Sequence, residues 1–338
     1  MRAPASSRFD FAFIPGGPAA ETVEAVKLGE SLGYRIAWIP DQGFHRDPFV
    51  LLGLAAAATE RIGLGVGITS PFTRLPMQIA RAAGVIDEVS NGRFRLGLGT
   101  ANLRNVVKPL GVRFERPVGR LRDSIDIVRR LLAGERVDFE GPDDHLTGVK
   151  LDFQPRPNIP IYIGTRGFQI ITMSGRAADG VLVESLFNPS ALKRVLECIQ
   201  TGAEQAGRTR QAVDVVAWQL VRVTDDPATA ISAAKPWIAW AIQVGPPAAM
   251  RVIGIDEEVE AKVVEAMNRG DRELAATFVT DDAVRSFMVI GTAADVTRQL
   301  TDIFDRGADN VCILATGPMH EVRDNLNRFA KDVMHAFD

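Results

Sequence analysis

The 338-residue chain predicts an α/β fold, a closed (β/α)8 barrel of the TIM type with insertions after strands 4 and 7. Three observations point there. Short apolar runs alternate with longer segments of helical period, the pattern of parallel strands joined by crossover helices. The stretches RIGLGVG (61–67) and RFRLGLG (93–99) share Arg, Leu and two glycines at an offset of 32 residues, a spacing that suits one βα unit. Neither runs into G-x-G-x-x-G, the phosphate fingerprint an open doubly wound sheet usually carries early.

The elements follow in order. FDFAFIP (9–15) reads as strand one, and AETVEAVKLGESLG (20–33) as an amphipathic helix ending at Gly33. RIAWIP (35–40) is strand two and leads into the apolar helix 48–59. RIGLGVGIT (61–69) is strand three. Helix 76–92 begins on a proline in its first turn and stops at Asn91-Gly92, as helix-boundary chemistry requires. RFRLGLG is strand four. A long irregular loop (100–118) then precedes helix 119–135 and a β-hairpin (136–155) turning at Gly-Pro-Asp-Asp. The rhythm resumes with strand 159–164, helix 168–177, strand 180–184, helix 190–207 and strand 212–224. Residues 227–285 are mostly helical with a proline-rich break at 244–248, and 285–310 supplies a helix only. Strand 310–315 and helix 319–337 close the eighth unit. Residues 1–338 thus read as one domain, its insertions covering about 100–155 and 227–285.

Within strand three the glycines at 63, 65 and 67 are unexpected. Each costs about 0.5–1 kcal/mol against alanine in a strand interior. They suit a backbone against which something flat lies.

Composition narrows the function. Net charge is −3 and there is no block of lysine and arginine, which argues against a nucleic-acid or anionic-membrane surface. Cys198 and Cys312 stand apart in apolar segments, as core residues of a protein in a reducing cytosol do. The N-terminus lacks an apolar leader core, and no apolar run is long enough to span a bilayer, so a cytoplasmic protein is expected. Walker A, G-x-S-x-G and H-E-x-x-H are all missing. The histidines at 45, 145, 320 and 335 form no set with metal-ligand spacing, so no protein-bound metal is expected.

In such a barrel, function gathers at the C-terminal ends of the strands. The end of strand five, IGTRG (163–167), delivers glycines, Thr165 and Arg166 to the opening of a helix. Glycines alone would equally suit a tight turn, but Arg166 between them tips the arrangement toward a phosphate. Asp41, after strand two, is either a helix-capping turn residue or a polar group facing the mouth, and Asn102 after strand four has the same alternatives.

Together, AWIPDQGFHRDPFVLL (37–52), TERIGLGVGITSPFTRLP (59–76), DEVSNGRFRLGLGTAN (87–102), GRLRDSIDIVRRLLAGE (119–135), IPIYIGTRG (159–167) and AADGVLV (177–183) resemble the bacterial-luciferase-like family of flavin and deazaflavin oxidoreductases, most nearly its methylenetetrahydromethanopterin reductase branch. The resemblance implies a (β/α)8 barrel with a non-proline cis peptide in strand three, at Gly67–Ile68 here, making a bulge behind an isoalloxazine-type ring. It implies that Asp41, Gly67, Ile68, Thr100 and Asn102 line that ring. Gly164, Thr165, Arg166 and Gly167 would hold the cofactor phosphate, with Ala178 and Val181 nearby. Asp41 and Gln42 occupy the catalytic position, where many members carry Asp-His. Gln42 is neither acid nor base, so a delivered proton would come from Asp41, Glu184 or His45. Ala12 stands where the reductase branch tends to have a glutamate.

The function so implied is hydride transfer between coenzyme F420 and a small organic substrate, with Arg74, Arg104 and Arg176 as candidate contacts for an acidic cofactor tail. The alternatives are an FMN-dependent monooxygenase using reduced FMN and O2, and a non-catalytic flavin-binding relative. A homodimer is expected, with helices 48–59 and 76–90 as candidate interface.

Overall fold

The structure, a computed structural model, describes residues 8–186 and 188–337. The N-terminal stretch read above for the absence of a leader lies mostly outside the described residues. Eleven strands run in chain order among them: β1 (Phe9–Phe13), β2 (Ile36–Ile39), β3 (Gly63–Thr69), β4 (Phe94–Leu98), β5 (Val137–Glu140), β6 (His145–Val149), β7 (Ile161–Thr165), β8 (Gly180–Glu184), β9 (Asp214–Val223), β10 (Met288–Gly291) and β11 (Asn310–Ala315). Strands β1, β2, β3, β4, β7, β8, β9 and β11 pair in parallel in that order, and β11 returns to β1. The barrel is therefore closed, with helices around it. The pair β5–β6 forms the expected antiparallel hairpin, turning at residues 141–144.

Strand β10 departs from the expectation that 285–310 is only helical. β9 is ten residues long. Its partners β8 and β11 cover it only as far as Trp218 and Leu220. The upper end would be an open edge, and β10 pairs there, Met288 opposite Leu220 through Gly291 opposite Val223.

Local chemistry sets the helix boundaries. The Asp47 side chain accepts the N–H groups of Phe49 and Val50 and so caps the helix Pro48–Ala58, with Pro48 at its first position. Helix Pro76–Val89 gives way to Asn91 and Gly92, both at positive φ. Glu30 accepts the backbone N–H groups of Glu60, Arg61 and Ile62, tying the first helix to the turn before β3.

A buried polar network fills the lower, N-terminal end of the barrel. Asp10, fully buried, accepts from Arg35 Nε (2.7 Å), Arg35 Nη2 (2.8 Å) and Trp38 Nε1 (2.9 Å). Arg35 also reaches Asp214 at 3.0 Å, and Asp214 accepts from Tyr162 Oη and Asn310 Nδ2. Burial alone would lower the Arg35 pKa, but Asp10 and Asp214 outweigh it and hold the guanidinium protonated.

Two of the β3 glycines have their cause one layer above. A Cβ at Gly65 would stand 2.2 Å from the Trp38 ring, and one at Gly67 would stand 2.8 Å from the Trp218 ring. Burying one indole contributes about 4–6 kcal/mol at 25 cal/mol per Å² over roughly 150–250 Å². That outweighs the backbone cost of the glycines. What crowds Gly65 and Gly67 is protein: Trp38 on β2 and Trp218 on β9.

Candidate active site

The C-terminal ends of the strands open into a cavity of about 790 Å³, within the usual range for a ligand site. Its inner wall is the end of β3. The Gly67–Ile68 peptide is cis, as the resemblance implied. Pairing of β3 with β4 slips between Val66 and Thr69, so residues 67–68 bulge into the mouth. The Ile68 side chain lies in a notch made by Gly97 on β4, Gly99 just beyond it and Gly164 on β7. A Cβ at Gly164 would come 2.5 Å from Ile68 Cγ2, one at Gly99 2.8 Å from Cδ1, and one at Gly97 3.2 Å from Cγ2. The glycines admit the isoleucine and keep the bulge against the barrel.

Ten of the residues expected at the site line this cavity together: Asp41, Gln42, Gly67, Ile68, Thr100, Asn102, Gly164, Thr165, Arg166 and Gly167. Asp41 does not cap the helix that follows; Asp47 does. Asp41 Oδ2 instead accepts from Thr69 Oγ1 and Arg74 Nε, both at 2.8 Å. Asn102 combines its two alternatives: it lines the cavity, and its side chain accepts the Arg104 N–H at the start of a π-helical turn, Leu103–Val107.

Ala178 and Val181 are not brought to the cavity. Val181 is fully buried within β8, paired with Ile163 and Val215. Ala178 ends the helix Phe168–Ala177 before β8 begins, at the opposite end of that strand from Glu184. Ala12 is fully buried in β1, so that position presents no carboxyl.

At the far end of the cavity, the helix Phe168–Ala177 starts at Gly167 with no side-chain cap. Gly167 N–H donates to Thr165 Oγ1, while Gly167, Thr165, Arg166 and Ile170 line the cavity. An uncapped helix start beside a guanidinium suits a phosphate. Arg166 is nearly buried, 3.6 Å from Glu184, and donates to the Ala241 carbonyl.

The insertion after β9 supplies residues that the sequence did not reveal. Trp237 and Trp240, three apart on helix Pro227–Val244, form an aromatic wall with centroids 5.5 Å apart. Asn268 accepts from Arg104 Nη1 at 2.7 Å and Gln243 Nε2 at 3.1 Å, joining the two insertions across the mouth. Of the three arginines considered for an acidic tail, Arg74 is committed to Asp41 and Asp47, and Arg176 bonds Gln205 away from the cavity. Arg104 alone among them lines it.

A closed parallel barrel with a bulged third strand at the wall of an open mouth is the architecture of a barrel enzyme. The chain belongs to the luciferase-like monooxygenase family, whose model matches residues 6–310, and it is an enzyme, which sets aside the non-catalytic reading. It is 32% identical to the 5,10-methylenetetrahydromethanopterin reductase of Archaeoglobus fulgidus, over 90% of this chain and 92% of that one. It is 25% identical to the F420-dependent glucose-6-phosphate dehydrogenase of Amycolatopsis mediterranei, over 93% of each. Its structure superimposes on that of the coenzyme F420-dependent tetrahydromethanopterin reductase of Methanopyrus kandleri with a TM-score of 0.89 and 25% identity, covering 99% of this chain and 100% of that one. No helix among the described residues is long and apolar enough to cross a membrane.

Proposed function

We propose that this enzyme moves hydride between coenzyme F420 and a small organic substrate. The observation that carries the reading is the pairing, in one cavity, of the bulge at Gly67–Ile68 with the uncapped helix start at Gly167. A planar ring against the first and a phosphate at the second fit a nucleotide-like redox cofactor, and similarity to proteins named as F420-dependent favours F420 over FMN. When bound, F420 supplies the hydride chemistry.

The chain's own residues bind and orient. The amides at the start of helix 168–177 and the Arg166 guanidinium hold the phosphate. Asp41 and Gln42 present polar groups beside the bulge. Trp218, Trp237 and Trp240 exclude water, which strengthens polar contacts within the site. Gln42 cannot carry a proton, and Asp41 is engaged by Thr69 and Arg74. Of the other cavity groups Glu184 faces Arg166, which leaves His45 to do so.

Titration of the purified protein with oxidised F420 and with FMN, followed by fluorescence quenching, tests this reading. Saturable binding of F420 is expected. Binding of FMN alone would point to the monooxygenase alternative, and binding of neither would refute the site. We further propose a homodimer, because Val50, Leu54, Val85 and Val89 stay exposed on two neighbouring helices, and a cytoplasmic setting, which suits the two free, buried cysteines Cys198 and Cys312. Sedimentation at twice the chain mass is expected; sedimentation as single chains would refute it.

A further inference from the structure

We infer that Arg74 is a positioning residue of this mouth: it holds the Asp41 carboxyl in place beside the β3 bulge. What the held carboxyl serves rests on the cofactor reading above. That Arg74 holds it rests on geometry alone.

Arg74 belongs to the turn SPFTRLP that follows β3. Ser70 builds this turn, its carbonyl accepting the N–H groups of Thr73 and Arg74 and its hydroxyl accepting that of Phe72. The turn brings the Arg74 side chain back over the start of the neighbouring βα unit. There Nε donates to Asp41 Oδ2 and Nη2 donates to Asp47 Oδ2, each at 2.8 Å, with the Phe49 ring 5.1 Å from the guanidinium carbon. Asp47 is held in turn, because its Oδ1 caps the helix Pro48–Ala58. The guanidinium is thus fixed at both ends.

Asp41 is gripped from several sides. Its Oδ2 also accepts from Thr69 Oγ1, and its backbone N–H donates to the Ile68 carbonyl at 3.2 Å. Thr69, Arg74 and the Ile68 carbonyl all come from β3 or the turn after it. The carboxyl is therefore indexed to the bulge rather than to its own strand. Only Oδ1 is left without a partner among the described residues, on a residue that lines the cavity. One defined acceptor beside the bulge is the result. A planar guanidinium with two donors directed at two carboxyls suits this task, and a lysine's single ammonium does not.

The test compares the wild type with Arg74→Ala, Arg74→Lys, Asp41→Asn and the Arg74→Ala/Asp41→Asn double variant, each titrated with oxidised F420 and each melted to confirm folding. Loss of one charge-assisted hydrogen bond corresponds to about tenfold weaker binding. Arg74→Ala should lose about that factor, Arg74→Lys should recover part of it, and added guanidinium ion should recover part in Arg74→Ala. The double variant should bind no more weakly than the weaker single variant. Wild-type affinity in Arg74→Ala, or losses that multiply in the double variant, would overturn the assignment. If the wild type binds neither F420 nor FMN, the cofactor reading fails by itself. The urea midpoints of the unliganded variants then decide on Arg74: shifts that do not add uphold it, and additive shifts overturn it.

Discussion

Gly164→Ala is expected to damage both stability and the cofactor wall, by an amount that follows from one contact. The new Cβ would stand 2.5 Å from Ile68 Cγ2, where two carbons prefer about 3.5–4.0 Å, so one of them must move by about 1 Å. Isoleucine branches at Cβ and is stiff about χ1, so Cγ2 is not a loose chain end. Overpacking of this kind costs about 1–3 kcal/mol. Urea unfolding should show a lower midpoint at unchanged slope, and F420 titration should show weaker binding. Ile68→Ala removes the opposing atoms, so the double variant should lose less than the sum of the single variants, by roughly 1 kcal/mol or more. Additive losses, or a Gly164→Ala protein as stable as the wild type, would refute the notch.

Two further perturbations test the frame that carries the site. Burial pushes the Glu30 carboxyl up, but the N–H groups of Ile62, Arg61 and Glu60 outweigh it and bring the pKa below its ordinary 4.5. A carboxyl with a depressed folded-state pKa stabilises above its unfolded pKa and loses that contribution as pH falls through the folded value. Glu30→Gln should therefore be less stable than wild type by about 1 kcal/mol near neutral pH, allowing for solvent screening, with the gap closing below pH about 4 in acid-dependent urea melts. A gap unchanged down to pH 3 would refute the clamp. Arg35→Met would strand Asp10 in the barrel floor, a loss of about 3–5 kcal/mol by urea unfolding; a loss under 1 kcal/mol would show the network to be dispensable.

Much of this was legible in the chain because the signals were local. Strands 180–184 and 310–315 match the structure to the residue, since each apolar run is bounded by a break in pattern. The hairpin turn and the proline-started helix at 76 were likewise written in adjacent residues. Ten site residues could be gathered because they stand at strand ends, which a barrel brings to one face. What was hidden depends on contacts distant in sequence. No periodicity marks Arg74 as the partner of Asp41, 33 positions earlier. Nor does any signal place Trp240 against the same mouth as Gly67, or show that β9 outruns its neighbours and needs β10. The glycines of β3 were visible, but the cause of two of them, indoles from other strands against Gly65 and Gly67, was not. Ala178 and Val181 fall outside the cavity, which reaches only the upper ends of β7 and β8.

The most direct measurement is a crystal structure of the protein soaked with F420. The ring is expected against Gly67–Ile68 and the phosphate on the amides at the start of helix 168–177, within reach of Arg166. Density for the cofactor elsewhere, with that helix start bonded only to water or protein, would contradict this placement.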